Sequence, residues 1–152
     1  MAEFSPLMHP LILRWADIDA NYHLRHTAYY DLAASARIDL LNSFGLTMNL
    51  MQKEHIGPVL FREEGVFRRE IRYHDELYIS TRIQKLKHDF SRFQGVHEFL
   101  RKDPDQTITV CALVTVDIAW IDTIRRKLTT PPGSVIQAFE QFPRTNDFAW
   151  WD

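Results

Sequence analysis

The chain has 152 residues, 45% of them apolar and 25% charged, with a formal net charge of −2. This length suits one compact domain with a sizeable core, and the composition excludes a disordered or fibrous protein. The weak negative charge argues against nonspecific nucleic-acid binding as the main role, because proteins of that class carry a basic excess.

Cellular location is indicated by the single cysteine and by the first ten residues. Cys111 has no second cysteine to pair with, which favours a reducing, cytoplasmic setting. The start, MAEFSPLMHP, lacks the basic and apolar regions of a secretory signal, and no segment approaches the roughly 20 apolar residues of a membrane helix. With no repeat or linker to divide it, the sequence predicts a single domain over residues 1–152 and no membrane association.

The first predicted elements are a short strand over 9–15 and a long helix over 28–44. Thr27 is a plausible N-cap and Gly45 a natural terminator. Apolar residues recur at spacings of three and four along one face of this helix, namely Tyr29, Ala33, Ala36, Leu40 and Phe44. Small side chains between them predict that the helix packs closely on a sheet.

The rest of the chain reads mostly as strands joined by short connections. After a turn at Gly57-Pro58, the predicted elements are strands at 59–73, 77–87, 90–100 and 107–120 and a short helix at 134–142. Short connections imply an antiparallel sheet and an α+β fold. The ends of the long helix then lie at the edge of the fold, where the loop before the helix can form a ligand site.

That loop lies in the stretch RWADIDANYHLRHTAYYDLAASAR, residues 14–37, which crowds Asp17, Asp19, His23 and His26 before the helix. Three interpretations are open. In the first, the acids form a solvated turn. In the second, one carboxylate attacks a bound carbonyl or activates a water, while the free N–H groups of the helix N-terminus polarise the carbonyl oxygen. In the third, the four residues bind a metal. The second interpretation predicts acyl transfer or ester-type hydrolysis.

Other chemistries have weaker support. Neither Ser35 nor Ser43 lies in a G-x-S-x-G turn, Cys111 sits in mid-strand as a core residue would, and five glycines form no phosphate loop. The basic segments 85–93 and 124–127 are candidates to hold an anionic ligand. Two adjacent tryptophans in the tail 147–152 are expected to pack on a neighbouring subunit or over a pocket.

Read as R-W-x-D-x-D-A-x-x-H-x₅-Y-x₇-R, residues 14–37 resemble the hotdog-fold acyl-CoA thioesterases of the 4-hydroxybenzoyl-CoA thioesterase type. The residues that fall at this family's spacing are Arg14, Asp17, Asp19, Ala20, His23, Tyr29 and Arg37. The resemblance implies a hotdog fold, in which an antiparallel sheet wraps around one long helix. It also implies a homodimer or homotetramer with active sites at the subunit interface.

The resemblance further implies hydrolysis of an acyl-CoA or acyl-carrier-protein thioester, with no cofactor beyond the coenzyme A of the substrate and no metal. Asp19 aligns with the catalytic carboxylate, as nucleophile or general base. The main-chain N–H near His26 would polarise the carbonyl oxygen, and His23 would order the loop. Further candidates are Tyr29, Phe61 and Phe67 for the acyl pocket, and Lys85, Lys87, Arg92, Arg125 and Arg126 for the CoA phosphates.

Three departures from the family pattern keep rival functions open. Tyr22 replaces a usual glycine, Arg25-His26 replace an asparagine pair, and Ala34-Ser35 replace a frequent acidic pair. One rival is a non-catalytic acyl-CoA binding or sensing module on the same fold. Another is a dehydratase with His23 or His26 as its base.

Overall fold

The computed structural model describes residues 8–151. A short 3₁₀ helix, Trp15–Asp17, precedes the first α-helix. The α-helices are α1 (Ala28–Ser43), α2 (Met48–Lys53) and α3 (Gly133–Gln141). The strands are β1 (Met8–Leu11), β2 (Ile56–Phe67), β3 (Glu76–Lys87), β4 (Arg92–Lys102), β5 (Ile108–Asp122), β6 (Lys127–Leu128) and β7 (Arg144–Trp151).

The strands form one curled sheet in the order β1-β3-β4-β5-β2, with antiparallel pairing along this path. β6 continues β5 as a hairpin, and β7 pairs in parallel with the end of β3. The long helix α1 packs against β2, β3 and β5. A curled antiparallel sheet around one long helix confirms the predicted hotdog fold. Within residues 8–151, no helix is long and apolar enough to cross a membrane.

Side-chain alternation places the core between the sheet and the helices. On β5, Ala112, Val114, Val116 and Ile118 are buried on one face, as their spacing predicts. The Cys111 side chain is fully buried, as expected for a core residue. The helix α3 covers one end of this core, where Phe139 contacts the rings of Phe93 and Trp120.

The helix α1 begins at the predicted residue and lies close to β2. A Cβ atom added at Gly65 on β2 would lie 2.7 Å from the Tyr30 hydroxyl oxygen, so the lack of a side chain permits this approach. Tyr29 and Ala33 are buried as predicted. The rest of the predicted face, Ala36, Leu40 and Phe44, is only partly buried, and Leu41 is buried instead. The buried face is therefore rotated from the predicted one.

Two predicted strands are too long. The segment 9–15 divides into β1 and the start of the 3₁₀ helix. The segment 59–73 leaves the sheet after Phe67, because the N–H groups of Arg68 and Arg69 both donate to the Cys111 carbonyl and break the regular ladder. The elements α2, β6 and β7 were not predicted.

The tryptophan-rich tail forms the end of β7 and packs on its own chain. The Trp150 ring stacks on His88, with centroids 4.6 Å apart and planes 16° apart. The Arg92 guanidinium lies 4.5 Å from the Trp151 ring centroid, and Lys85 lies 5.7 Å from it. These contacts place both tryptophans against β3 and β4 in the same chain.

Candidate active site

Asp19 lies in a tight turn before α1. Its carbonyl accepts from the Tyr22 N–H at 3.1 Å, and its N–H donates to the His23 carbonyl at 2.9 Å. The carboxylate oxygen Oδ1 accepts main-chain bonds from Asn21 at 2.8 Å and from His23 at 3.2 Å. Oδ2 has no hydrogen-bond partner within residues 8–151. One carboxylate oxygen therefore fixes the turn, and the other is available for chemistry.

Tyr22 stands where the family usually has a glycine, and its backbone adopts the conformation that a glycine would. Its φ is 63°, in the left-handed region that glycine adopts without steric cost. Its side chain is 72% exposed and so meets no packing constraint. The turn conformation is thus kept at the expense of backbone strain.

Asp17 has a different environment from Asp19, although only one residue separates them. It is buried and accepts hydrogen bonds from the Arg14 N–H at 3.0 Å and from the Arg14 guanidinium at 2.8 and 3.3 Å. These side-chain bonds lower the pKa of Asp17 and outweigh the opposite effect of its burial. Its main-chain carbonyl also accepts from Arg25. Asp17 therefore supports the loop.

The N-terminus of α1 carries no side-chain cap. Thr27 is the N-cap residue, as predicted, but it has helical backbone angles and its hydroxyl oxygen accepts from the Arg25 guanidinium at 2.6 Å instead of capping the helix. The Ala28 N–H donates to the Arg25 carbonyl. In the described part of the chain, the His26 main-chain N–H has no acceptor. A helix N-terminus in this state offers N–H groups and a positive dipole to a ligand oxygen.

His23 fastens this loop to the segment that follows β2. Its Nε2 lies 3.1 Å from Glu70 Oε2, and the adjacent Leu24 N–H donates to the Ile71 carbonyl at 2.7 Å. His23 also forms an isolated antiparallel bridge with Arg72. These contacts are those of a residue that orders the loop.

A cavity of about 320 Å³ brings five of the predicted site residues together: Asp19, His23, His26, Tyr29 and Phe67. The Tyr29 ring contacts Phe67 and Phe99 with centroids 4.9 Å apart in both pairs. Burial raises the pKa of Tyr29 to about 12, with smaller contributions from the charges of Cys111 and Asp19. Tyr29 is therefore a neutral wall of the cavity at physiological pH.

A basic rim next to this cavity was missed by sequence reasoning. Arg68, Arg69 and Glu70 line both the Asp19 cavity and a neighbouring cavity of about 500 Å³. Arg72, Asp75 and Arg101 complete the second cavity. The run Arg68-Arg69 is visible in the sequence, but it lies inside the predicted strand 59–73. Its position depends on the end of β2, which the alternation does not reveal.

The other predicted binding residues do not line the Asp19 cavity. Phe61 is 54% exposed beside the irregularity in β2, 5.7 Å from the Arg92 guanidinium. Lys85 and Arg92 contact Trp151, and Lys87 ends β3. Arg125 and Arg126 are exposed near the β5–β6 turn. Their assignment to substrate stays a prediction.

The residues that the metal hypothesis brings together have different interaction partners. Asp17 is paired with Arg14, whereas His23 faces Glu70. Over residues 8–151 no group of three or more His, Cys, Asp or Glu side chains is placed to hold a metal ion.

The sequence matches the family model of the thioesterase-like superfamily over residues 13–139. The chain belongs to this superfamily. A comparison with curated proteins found no match.

Among solved structures, the chain is similar to a 1,4-dihydroxy-2-naphthoyl-CoA thioesterase from Synechocystis, with a TM-score of 0.76 and 17% identity over 89% of this chain and 96% of that chain. A variant of 4-hydroxybenzoyl-CoA thioesterase in complex with 4-hydroxybenzoyl-CoA has a TM-score of 0.75 and 15% identity over 86% and 96% of the two chains. A hypothetical protein from Staphylococcus aureus in complex with CoA has a TM-score of 0.78 and 16% identity over 92% and 87%. At these identities the similarity shows the fold alone.

Proposed function

We propose that the protein hydrolyses the thioester of an acyl-CoA, or of an acyl-carrier protein, to a free acid and a thiol. One observation carries the proposal: Asp19 and His26 border the same cavity at the start of α1, and within residues 8–151 one carboxylate oxygen of Asp19 and the main-chain N–H of His26 have no hydrogen-bond partner. A carboxylate beside a helix N-terminus supplies the attacking group and the oxyanion donor that acyl transfer needs.

In the general-base form, Asp19 removes a proton from water as the water oxygen bonds to the thioester carbon. The carbonyl oxygen becomes an oxyanion that accepts a hydrogen bond from the His26 N–H. The C–S bond then breaks, the acid is released, and the thiolate takes the proton from Asp19. In the nucleophilic form, Asp19 attacks the carbon, the C–S bond breaks to release the thiolate, and a mixed anhydride forms. Water hydrolyses the anhydride to the free acid and the Asp19 carboxylate, and the proton that this step releases goes to the thiolate.

We assign the CoA phosphates of the substrate to Arg68 and Arg69. Both line the Asp19 cavity and the adjoining basic cavity, and both are exposed. Arg101 is less suited, because it is already paired with Asp103 at 2.7 Å and with the Glu70 carbonyl at 2.8 Å. Guanidinium groups bind phosphate oxygens through paired N–H donors.

We also propose a homodimer or homotetramer in the cytoplasm. Apolar side chains on β2 are exposed, with Phe61, Val66 and Phe67 at 54%, 41% and 48%. A second copy would cover them and bring further residues to the cavity, and Lys85, Lys87 and Arg92 of a second copy are the candidates. Sedimentation of the purified protein tests the assembly.

The decisive experiment measures thiol release from a panel of acyl-CoA thioesters by the native protein, Asp19→Asn and the control Asp39→Asn. Asp39 is an exposed acid on α1 outside the cavity. We expect Asp19→Asn to lose at least ~10²-fold in kcat and the control to retain activity, because Asp19 lines the cavity and Asp39 does not. Full activity in Asp19→Asn would show that another group performs the attack.

Two outcomes would replace the proposal. Tight CoA-thioester binding without thiol release would identify a binding module. Loss of water from a 3-hydroxyacyl thioester without thiol release would identify a dehydratase, with His23 or His26 as the base.

A further inference from the structure

A second cavity lies under the C-terminal half of α1, between the helix and the sheet. Its volume is about 160 Å³, and it shares no lining residue with the Asp19 cavity. Its walls are mainly apolar and include Ile38, Leu41, Ile83, Phe93, Ile118 and Phe142. Arg37 and Thr81 are the two lining residues with polar side chains. An apolar cavity with a few convergent polar groups is typical of a small-molecule site.

The two polar residues are joined through a buried histidine. An Arg37 guanidinium nitrogen lies 3.0 Å from His97 Nε2, and Thr81 Oγ1 lies 2.9 Å from His97 Nδ1. Because arginine can only donate, Nε2 must accept, and Nδ1 must carry the hydrogen and donate to Thr81. The hydroxyl hydrogen of Thr81 is then free to donate to another acceptor.

Arg37 also keeps donors that no atom of residues 8–151 accepts. The guanidinium has five N–H groups, and within the described residues its one hydrogen bond is to His97. Glu63 is the nearest acid, but its oxygen lies 3.9 Å from the guanidinium, beyond hydrogen-bond distance. The Arg37 side chain is only 16% exposed. A largely shielded guanidinium with spare donors is suited to bind an anionic group at the cavity.

We propose that this cavity binds a small apolar carboxylate of about the size of benzoate. The hydrocarbon part fills the apolar walls, and the carboxylate accepts hydrogen bonds from Arg37 and from the Thr81 hydroxyl. A cavity of about 150 Å³ is known to hold one benzene molecule, so the size is suitable. The ligand is a free acid or the carboxylate-bearing acyl group of a thioester. The site does not depend on the proposed hydrolysis.

Binding is measured by calorimetry on the full-length protein with benzoate and cyclohexanecarboxylate, beside the neutral isostere benzamide. We expect the carboxylates to bind at least ~10-fold more tightly than the amide, because hydrogen bonds to charged groups are the stronger class. Arg37→Gln should remove this preference, and Thr81→Val should weaken carboxylate binding ~3- to 10-fold. Glu63→Gln should strengthen it, because a nearby negative charge is removed.

A cavity-filling variant keeps the test valid if Arg37→Gln does not fold. Ala34 lines the cavity, whereas its neighbour Ser35 does not, and both are exposed on α1. Ala34→Leu should abolish binding of every ligand, and Ser35→Leu should leave it unchanged. Equal affinity for carboxylate and amide, unchanged binding in Ala34→Leu, or no saturable binding below ~10 mM would overturn the proposal.

Competition then distinguishes the two sources of the carboxylate. If benzoate competes with a carboxylate-ended acyl-CoA, and Ala34→Leu raises the KM of that thioester but not of one with a short apolar acyl group, the acyl group occupies the cavity. If benzoate binds without competing, the ligand is a free acid. Both results support the site. A protein that binds benzoate but hydrolyses no thioester would fail the proposed function alone.

Discussion

The N-terminus and the C-terminal half of α1 carry polar groups in opposite environments. At the N-terminus, Asp19 and His26 lie in a half-exposed loop with hydrogen-bonding capacity to spare. In the C-terminal half of the helix, Arg37 sits against the sheet and is paired with His97, which is fully buried. The first arrangement is formed by a hydrogen-bonded turn. The second is held by strands and is part of the core, so its groups affect stability as well as binding.

The largest effect that separates the two regions is expected at the basic rim. The double variant Arg68→Gln/Arg69→Gln should raise the KM for an acyl-CoA ~10- to 100-fold with kcat and stability unchanged, because it removes phosphate contacts made equally in ground and transition states. Steady-state kinetics measures this, with a thioester of a short thiol that lacks phosphates as the control substrate.

A matched double variant, Lys85→Gln/Lys87→Gln, examines the cations that the sequence predicted. If it raises KM and the arginine variant does not, the CoA phosphates lie on β3 of a second copy, and the assignment to Arg68 and Arg69 is wrong.

The stability of the buried region around His97 should decrease at acidic pH. Burial, with a smaller contribution from the Arg37 charge, lowers the pKa of His97 from 6.5 to about 3. Between these values the unfolded chain takes up a proton that the folded protein excludes, so stability falls as pH falls from 6.5. This costs about 2 kcal/mol between pH 7 and pH 5. Urea unfolding at both pH values should show a smaller acid loss in His97→Gln than in the native protein.

His88→Gln is the matched control for this experiment, because His88 is exposed and stacked on Trp150. If His97→Gln and His88→Gln behave alike, His97 does not account for the acid sensitivity.

A smaller effect, on the stability of the protein, should distinguish Asp17 from Asp19. Asp17→Asn should destabilise the protein by about 1–2 kcal/mol at pH 7, because it weakens charged hydrogen bonds with Arg14 in a buried position. Thermal unfolding measures this. Asp19→Asn should leave the unfolding temperature nearly unchanged, since Oδ1 can still accept its two main-chain bonds. The reverse order of stabilities would contradict the division of roles.

The smallest effect is expected at the turn itself. Tyr22→Gly should stabilise the protein by about 0.5 kcal/mol, because relief of the left-handed strain slightly exceeds the entropy that glycine adds to the unfolded chain. Denaturant unfolding measures it, with Asn21→Gly as the control for a flexible residue in the same loop. A loss of stability in Tyr22→Gly would mean that its ring makes a stabilising contact.

Local patterns were enough to predict α1, α3 and the strands β3 to β5, because the alternation and periodicity of apolar residues are local properties of the sequence. They did not predict β7, whose pairing with β3 depends on residues about sixty positions away. The same limit applies to the sites. Asp19, His23 and His26 are close in sequence and were found together, whereas the link from Arg37 to His97 joins α1 to β4 and has no local signature.

The position of β2 in the sheet has a consequence for solubility. This strand is 12 residues long, ends the strand order and exposes several large apolar side chains. No strand within residues 8–151 pairs with its outer side. A long, apolar open edge is a template on which other chains can add by backbone pairing. The second copy proposed above would cover this edge and protect it from such addition, and charged substitutions at Val66 should change the solubility of the protein before they change its fold.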